Sequence, residues 1–199
     1  MVKKVVILGH SFVRDLAKAG FESFEVEGTA FKIECLFDPG ASYISMLEKG
    51  EILDAAAVSN PDFVLVILGG NAIIGSTDDV AIHQQCRNFY QELRNVLLPH
   101  CKIIAAKVEL RFYQCPNKWD APSETEYKRR RNSLNGYLQR LKLKDHILQV
   151  AGPGRLDNDA YYRDAVHLNR VGVKKYHDFV KNALAYCVRK INNVFPAYV

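Results

Sequence analysis

Nothing in this 199-residue chain is long and uniformly apolar. No segment approaches the ~20 apolar residues that a membrane-spanning helix needs. The run behind Met1-Val2-Lys3-Lys4 extends only from Val5 to Leu8, too short for the core of a secretion signal. Cysteines are few and badly spaced for cross-linking. There are five (Cys35, Cys86, Cys101, Cys115 and Cys187), an odd number with no C-x-x-C pair. That argues against a disulfide framework and a structural zinc site. Five such thiols read as reduced residues in an intracellular, cytoplasmic setting, and none stands out as a nucleophile. Internal repeats, low-complexity stretches and linkers are all missing. So are G-x-G-x-x-G and G-x-x-x-x-G-K-[ST] after the first strand, which disfavours a nucleotide-binding domain. One-signed charge is modest as well. The 27 Lys and Arg against 22 Asp and Glu leave +5, too little to imply nucleic acid unless it is clustered.

What is there is an ordinary globular composition, 48% hydrophobic and 25% charged, read as one domain over residues 1–199. Five apolar, β-rich runs recur at Lys4–Leu8, Phe31–Phe37, Asp62–Leu68, Ile103–Val108 and Ile147–Val150. Helical patterns lie between and after them. One runs from Phe12 to about Gly20. A second, Thr77–Leu98, repeats Ile82, Cys86, Phe89, Tyr90, Leu93 and Leu97 on one face before Pro99. A third, Ser123–Leu143, opens on a capping-box pair, Ser123 and Glu126. The last runs from Asn169, a candidate N-cap, to Val194. Strands alternating with helices imply parallel strands joined by right-handed crossovers. The expected architecture is an α/β/α sandwich around a five-stranded parallel sheet in the flavodoxin-like order 2-1-3-4-5.

Four segments then fall at one edge of that sheet, where open α/β sheets place their ligands. Gly9-His10-Ser11-Phe12 follows the first strand. Ser11 is either a nucleophile at a helix N-terminus or simply that helix's cap. Pro39-Gly40-Ala41-Ser42 follows the second strand, as a backbone donor or an ordinary turn. Gly69-Gly70-Asn71-Ala72 follows the third; the Asn71 amide either donates into the mouth or satisfies local backbone. Asp164-Ala165-Val166-His167-Leu168-Asn169 precedes the last helix. An aspartate three residues before a histidine can accept its Nδ1–H and leave Nε2 as a general base. The other histidines have no such partner spacing.

In this order the four blocks resemble the SGNH (GDSL-like) hydrolases, a superfamily of serine esterases and lipases. The resemblance implies Ser11 as nucleophile, with Asp164 and His167 as orienter and base. It implies an oxyanion hole made of the Ser11 and Gly40 N–H groups and the Asn71 amide. No metal or organic cofactor is implied. Two positions depart from the family pattern: His10 stands where an acid precedes the serine, and Ala72 where an aspartate follows the asparagine. The Gly-His-Ser-Phe-Val-Arg opening with Asp-x-Val-His-Leu-Asn is also similar to compact esterase-like domains of some animal retroelements.

The expected activity is hydrolysis of small, acetyl-type carboxylic esters through an acyl-enzyme. His10, Arg111 and Trp119 are candidates for substrate binding, the latter two on the irregular segment Glu109–Pro122, which is either a binding loop or a cover over its own aromatics. The alternative is a catalytically weak module of the same fold that binds nucleic acid or a protein. Its candidate contact is the basic run Lys128-Arg129-Arg130-Arg131, which on a helix spreads around the cylinder and reads more simply as a solvated face.

Overall fold

The computed structural model describes residues 2–75, 78–109, 122–145, 148–150, 152, 159–161 and 167–194. Its strands are β1 (Val2–Gly9), β2 (Ser23–Val26), β3 (Thr29–Phe37), β4 (Phe63–Ile67), β5 (Lys102–Ala106) and β6 (Leu148–Val150). Its helices are α1 (Ser11–Lys18), α2 (Tyr43–Glu48), α3 (Glu51–Val58), α4 (Gly70–Gly75), α5 (Asp79–Val96), α6 (Glu124–Asp145) and α7 (Arg170–Val194). The sheet runs β2-β3-β1-β4-β5-β6. Strands β3, β1, β4, β5 and β6 run parallel to one another. Renumbered without β2, these five give the expected order 2-1-3-4-5.

Strand β2 is an addition at the edge, antiparallel to β3. The two are joined by Glu27 and Gly28, both at positive φ (51° and 70°). A two-residue turn with both φ positive suits the twist of a hairpin, but its sequence signal is Asn-Gly or Asp-Gly. Glu27 in that position hides the turn. Helices α2 and α3 were likewise unanticipated; the Ser42 and Ser45 side chains and backbones form a reciprocal cap that starts α2.

Alternation along the strands divides the core in two. Val6, Leu8, Val64 and Val66 face one side, packed with Tyr43, Phe89 and Leu134 from α2, α5 and α6. Val5, Ile7, Leu65 and Ile67 face the other, packed with Phe12 and Leu16 of α1 and Tyr176 and Leu184 of α7. The carboxyl ends of the parallel strands thus emerge between two helical layers.

Candidate active site

Gly9 closes β1. A Cβ there would lie 2.4 Å from the Ile67 carbonyl oxygen and 2.8 Å from Val13 Cγ2. Only glycine allows β1, β4 and α1 to converge this tightly, and the convergence fixes where the next two residues stand. His10, 4% exposed, is the N-cap of α1: its Nδ1 accepts from the Phe12 N–H at 3.4 Å. The cap is therefore His10 and not Ser11, and the helix begins one residue earlier than the pattern suggested. Ser11 occupies the first helical position and is 5% exposed. Its N–H is among those that a helix start leaves without an intrahelical acceptor, at the positive end of the helix dipole. No hydrogen bond holds its hydroxyl among the described residues.

The turns after β3 and β4 are tied to this corner and to each other. The Asp38 N–H donates to the Gly9 carbonyl at 3.1 Å, and the Ala41 N–H to the Asp38 carbonyl at 3.0 Å. Gly40 sits in this turn at φ +86°, a left-handed conformation that glycine adopts without strain. Asn71 lies on α4 rather than in a loop, and its Nδ2 donates to the Ala41 carbonyl at 2.9 Å. One of its two amide hydrogens therefore holds the turn that carries Gly40. Gly69, at φ +109°, has no room for a Cβ: Val108 Cγ2 would be 2.5 Å away and Tyr43 Oη 3.1 Å. Ala72 is 3% exposed and packs in the core, so a carboxylate there would be buried among apolar side chains.

His167 is half-buried just ahead of α7. Its neighbour Leu168 is 2% exposed and packs in one cluster with Phe12, Val13 and Leu16. Asn169 caps α7, its Oδ1 accepting from Val171 and Gly172 N–H groups at 2.9 and 3.0 Å. The Asn169 N–H in turn donates to the Tyr161 carbonyl at 2.9 Å. Phe12 and Tyr176 meet edge to face, their centroids 5.3 Å apart. The segments bearing Ser11 and His167 thus dock on one another. Asp164, Arg111 and Trp119 lie outside the described residues.

One group at this edge escaped the sequence reading. Glu109 follows β5, and its backbone is well held. The Tyr127 hydroxyl donates to the Glu109 carbonyl at 3.2 Å, and the Asn135 side chain pairs with both the N–H and carbonyl of Val108 (2.8 and 3.0 Å). The carboxylate fills the space beside Gly152, where a Cβ would fall 1.3 Å from Oε1. Burial pushes its pKa up to about 7 against the opposing pull of Arg131, Lys175 and Lys107. A lone Glu at a strand end carries no pattern that announces such burial.

The basic run on α6 is already engaged. Lys128 pairs with Glu124, Arg129 with Asp79 and Glu126, and Arg131 with the Asn132 side chain. Arg130, 8% exposed, pairs with Glu126 and donates to the Ile73 carbonyl of α4. Burial raises the pKa of Cys86 and Cys187 to about 12 and of Cys35 and Cys101 to about 11, which keeps these thiols protonated and unreactive. Among the described residues there is no cluster of three or more metal-ligating side chains, and no helix is long and apolar enough to cross a membrane.

No family model matches the chain, and no curated protein matches it. Solved structures do. A lipase/acylhydrolase from Enterococcus faecalis is similar over 93% of this chain and 96% of its own, with TM-score 0.64 and 14% identity. A GDSL-like lipase from Bacteroides thetaiotaomicron covers 93% and 89%, with TM-score 0.63 and 16% identity. A carbohydrate esterase family 3 protein from Talaromyces cellulolyticus covers 96% and 99%, with TM-score 0.64 and 17% identity. At such identities the likeness is one of fold: the chain shares the architecture of these lipase/acylhydrolase and GDSL-like lipase structures.

Proposed function

We propose that this protein is a serine esterase that hydrolyses small, acetyl-type carboxylic esters through an acyl-enzyme. The observation that carries the reading is the division of labour between neighbours. His10 caps α1, so Ser11 is left at the helix start with a hydroxyl that has no structural duty among the described residues. The similar structures support it, being named a lipase/acylhydrolase, a GDSL-like lipase and a carbohydrate esterase.

A serine hydroxyl attacks a carbonyl only when a base takes its proton. In the proposed cycle Ser11 Oγ adds to the ester carbonyl as His167 Nε2 accepts the Oγ proton, with Asp164 orienting the imidazole. The tetrahedral oxyanion faces the Ser11 and Gly40 N–H groups and the Asn71 amide. Each preorganised donor of this kind lowers the barrier by roughly 3–4 kcal/mol. Collapse expels the alcohol, which takes the proton from His167. Water then adds to the acyl-enzyme by the same route and releases the acid and free Ser11.

The test is covalent and kinetic. A fluorophosphonate probe should label the wild-type protein at Ser11, and p-nitrophenyl acetate should be hydrolysed at a rate that Ser11→Ala abolishes. Equal rates in both proteins, with no labelling, would sink the reading. The nucleic-acid alternative draws no support from Lys128–Arg131, since these side chains are engaged as described above.

A further inference from the structure

Ser11, Asp15 and Lys18 are spaced i, i+4 and i+7 and share one face of α1. Asp15 and Lys18 help form one wall of a groove of about 800 Å³. The facing wall is the first two turns of α7, where Arg170, Lys174 and His177 recur at the same spacing. Leu16 and Leu168 line it from the core side. The groove thus begins one turn below Ser11 on one wall and one residue after His167 on the other. Lys18 lies about 10 Å from Ser11 along the helix axis.

The charge of this groove is one-sided. Lys18, Arg170 and Lys174 are exposed, and none takes part in an ion pair among the described residues. The acid on the lining, Asp15, is already matched: Arg14 Nε and Nη2 both donate to its Oδ1, at 3.1 and 2.9 Å. Burial holds His177 toward its neutral form, helped by Lys181 and opposed by Asp178. Its ring packs edge-on against Phe21, with centroids 4.1 Å apart. Three full cations from two helices therefore border a groove whose lining starts one helical turn after Ser11 and one residue after His167.

From this we propose that the groove between α1 and α7 is the subsite for an anionic group on the substrate, so that the preferred substrate is an ester of a carboxylate- or phosphate-bearing alcohol. The inference rests on the esterase reading. Charges placed this way raise local substrate concentration and association rate more than they deepen binding.

The experiment compares 4-acetoxycinnamate with its neutral methyl ester, which carries the same acetyl–aryl bond. The anionic ester should have the higher kcat/KM by about tenfold at low salt. That preference should fall toward unity in Lys18→Gln/Lys174→Gln, and in ~1 M salt, where the screening length is about 3 Å. Binding of 4-acetoxycinnamate to Ser11→Ala, followed by calorimetry, gives a readout that needs no turnover. Charge-dependent binding there without turnover in the wild type overturns the esterase reading and leaves the groove standing. Equal kcat/KM for the two esters, unmoved by the double substitution, overturns the groove and leaves the esterase standing. Neither binding nor turnover overturns both.

Discussion

His10 turns a departure from the family pattern into a structural part. Its Nδ1 takes the N–H that an N-cap side chain is meant to take, and so relieves Ser11 of that role. His10→Ala removes the acceptor and should cost about 1 kcal/mol, read as a lower urea midpoint. His10→Asp restores a short cap of the favoured type and should recover that stability. If the alanine variant is as stable as the wild type, the cap is not what His10 supplies. Gly9 is the stricter neighbour. A methyl group 2.4 Å from a backbone oxygen cannot be relieved by a rotamer change, so Gly9→Ala should cost about 1–3 kcal/mol or more. Because Ser11 stands on the same corner, esterase activity should fall by more than the loss of folded protein explains. Activity that tracks the folded fraction alone would show that the corner tolerates the shift.

At the scale of elements, the carboxyl edge is held by side chains that act on backbone. Asn71 holds the turn after β3, Arg130 reaches the α4 carbonyl of Ile73, and Asn135 on α6 clamps both polar groups of Val108. Losing the last clamp leaves a donor and an acceptor of the backbone unsatisfied. Asn135→Ala should therefore cost about 1–3 kcal/mol, with hydrogen exchange at Val108 rising more than at β1; uniform acceleration would mean that the clamp is not local. The parallel strands were readable because both their faces are buried, which leaves unbroken apolar runs such as Val5–Leu8 and Phe63–Leu68. Three of the four blocks were readable because each follows such a run, and the fourth because it stands just before the last helix. Hairpin strand β2 was not, since it is half-exposed and its turn uses Glu27. Helices α2 and α3 are too short to show a period. Glu109 was missed because its burial depends on Gly152, some forty residues away, and no local pattern records that contact.

Across the whole molecule, these carboxylates make stability depend on pH in two opposing ways. Bonds from Arg129 and then Arg130 draw Glu126 down to about 2. Partial burial pushes Asp62 upward, but its bonds from Lys3 and the Lys4 N–H more than offset that and leave it lowered. Groups with a depressed folded pKa contribute stability that is present above their unfolded values, near 4, and is lost as pH falls through the folded ones. Both are largely exposed or only partly buried, so salt screening keeps the contributions small. Glu109 works in the other direction. Its folded pKa, about 7, lies above the ordinary 4.5, so the folded chain binds this proton more tightly than the unfolded chain does. That contribution is fully present below about 4.5 and is lost as pH rises to about 7. This contribution of Glu109 should weaken between pH ~5 and ~7. Glu109→Gln keeps the shape of the neutral acid and cannot ionise. Measured across that range, its urea midpoints should pull progressively above those of the wild type, and the two proteins should differ most above neutrality. Parallel curves for the two proteins would place the Glu109 carboxylate in water rather than against Gly152.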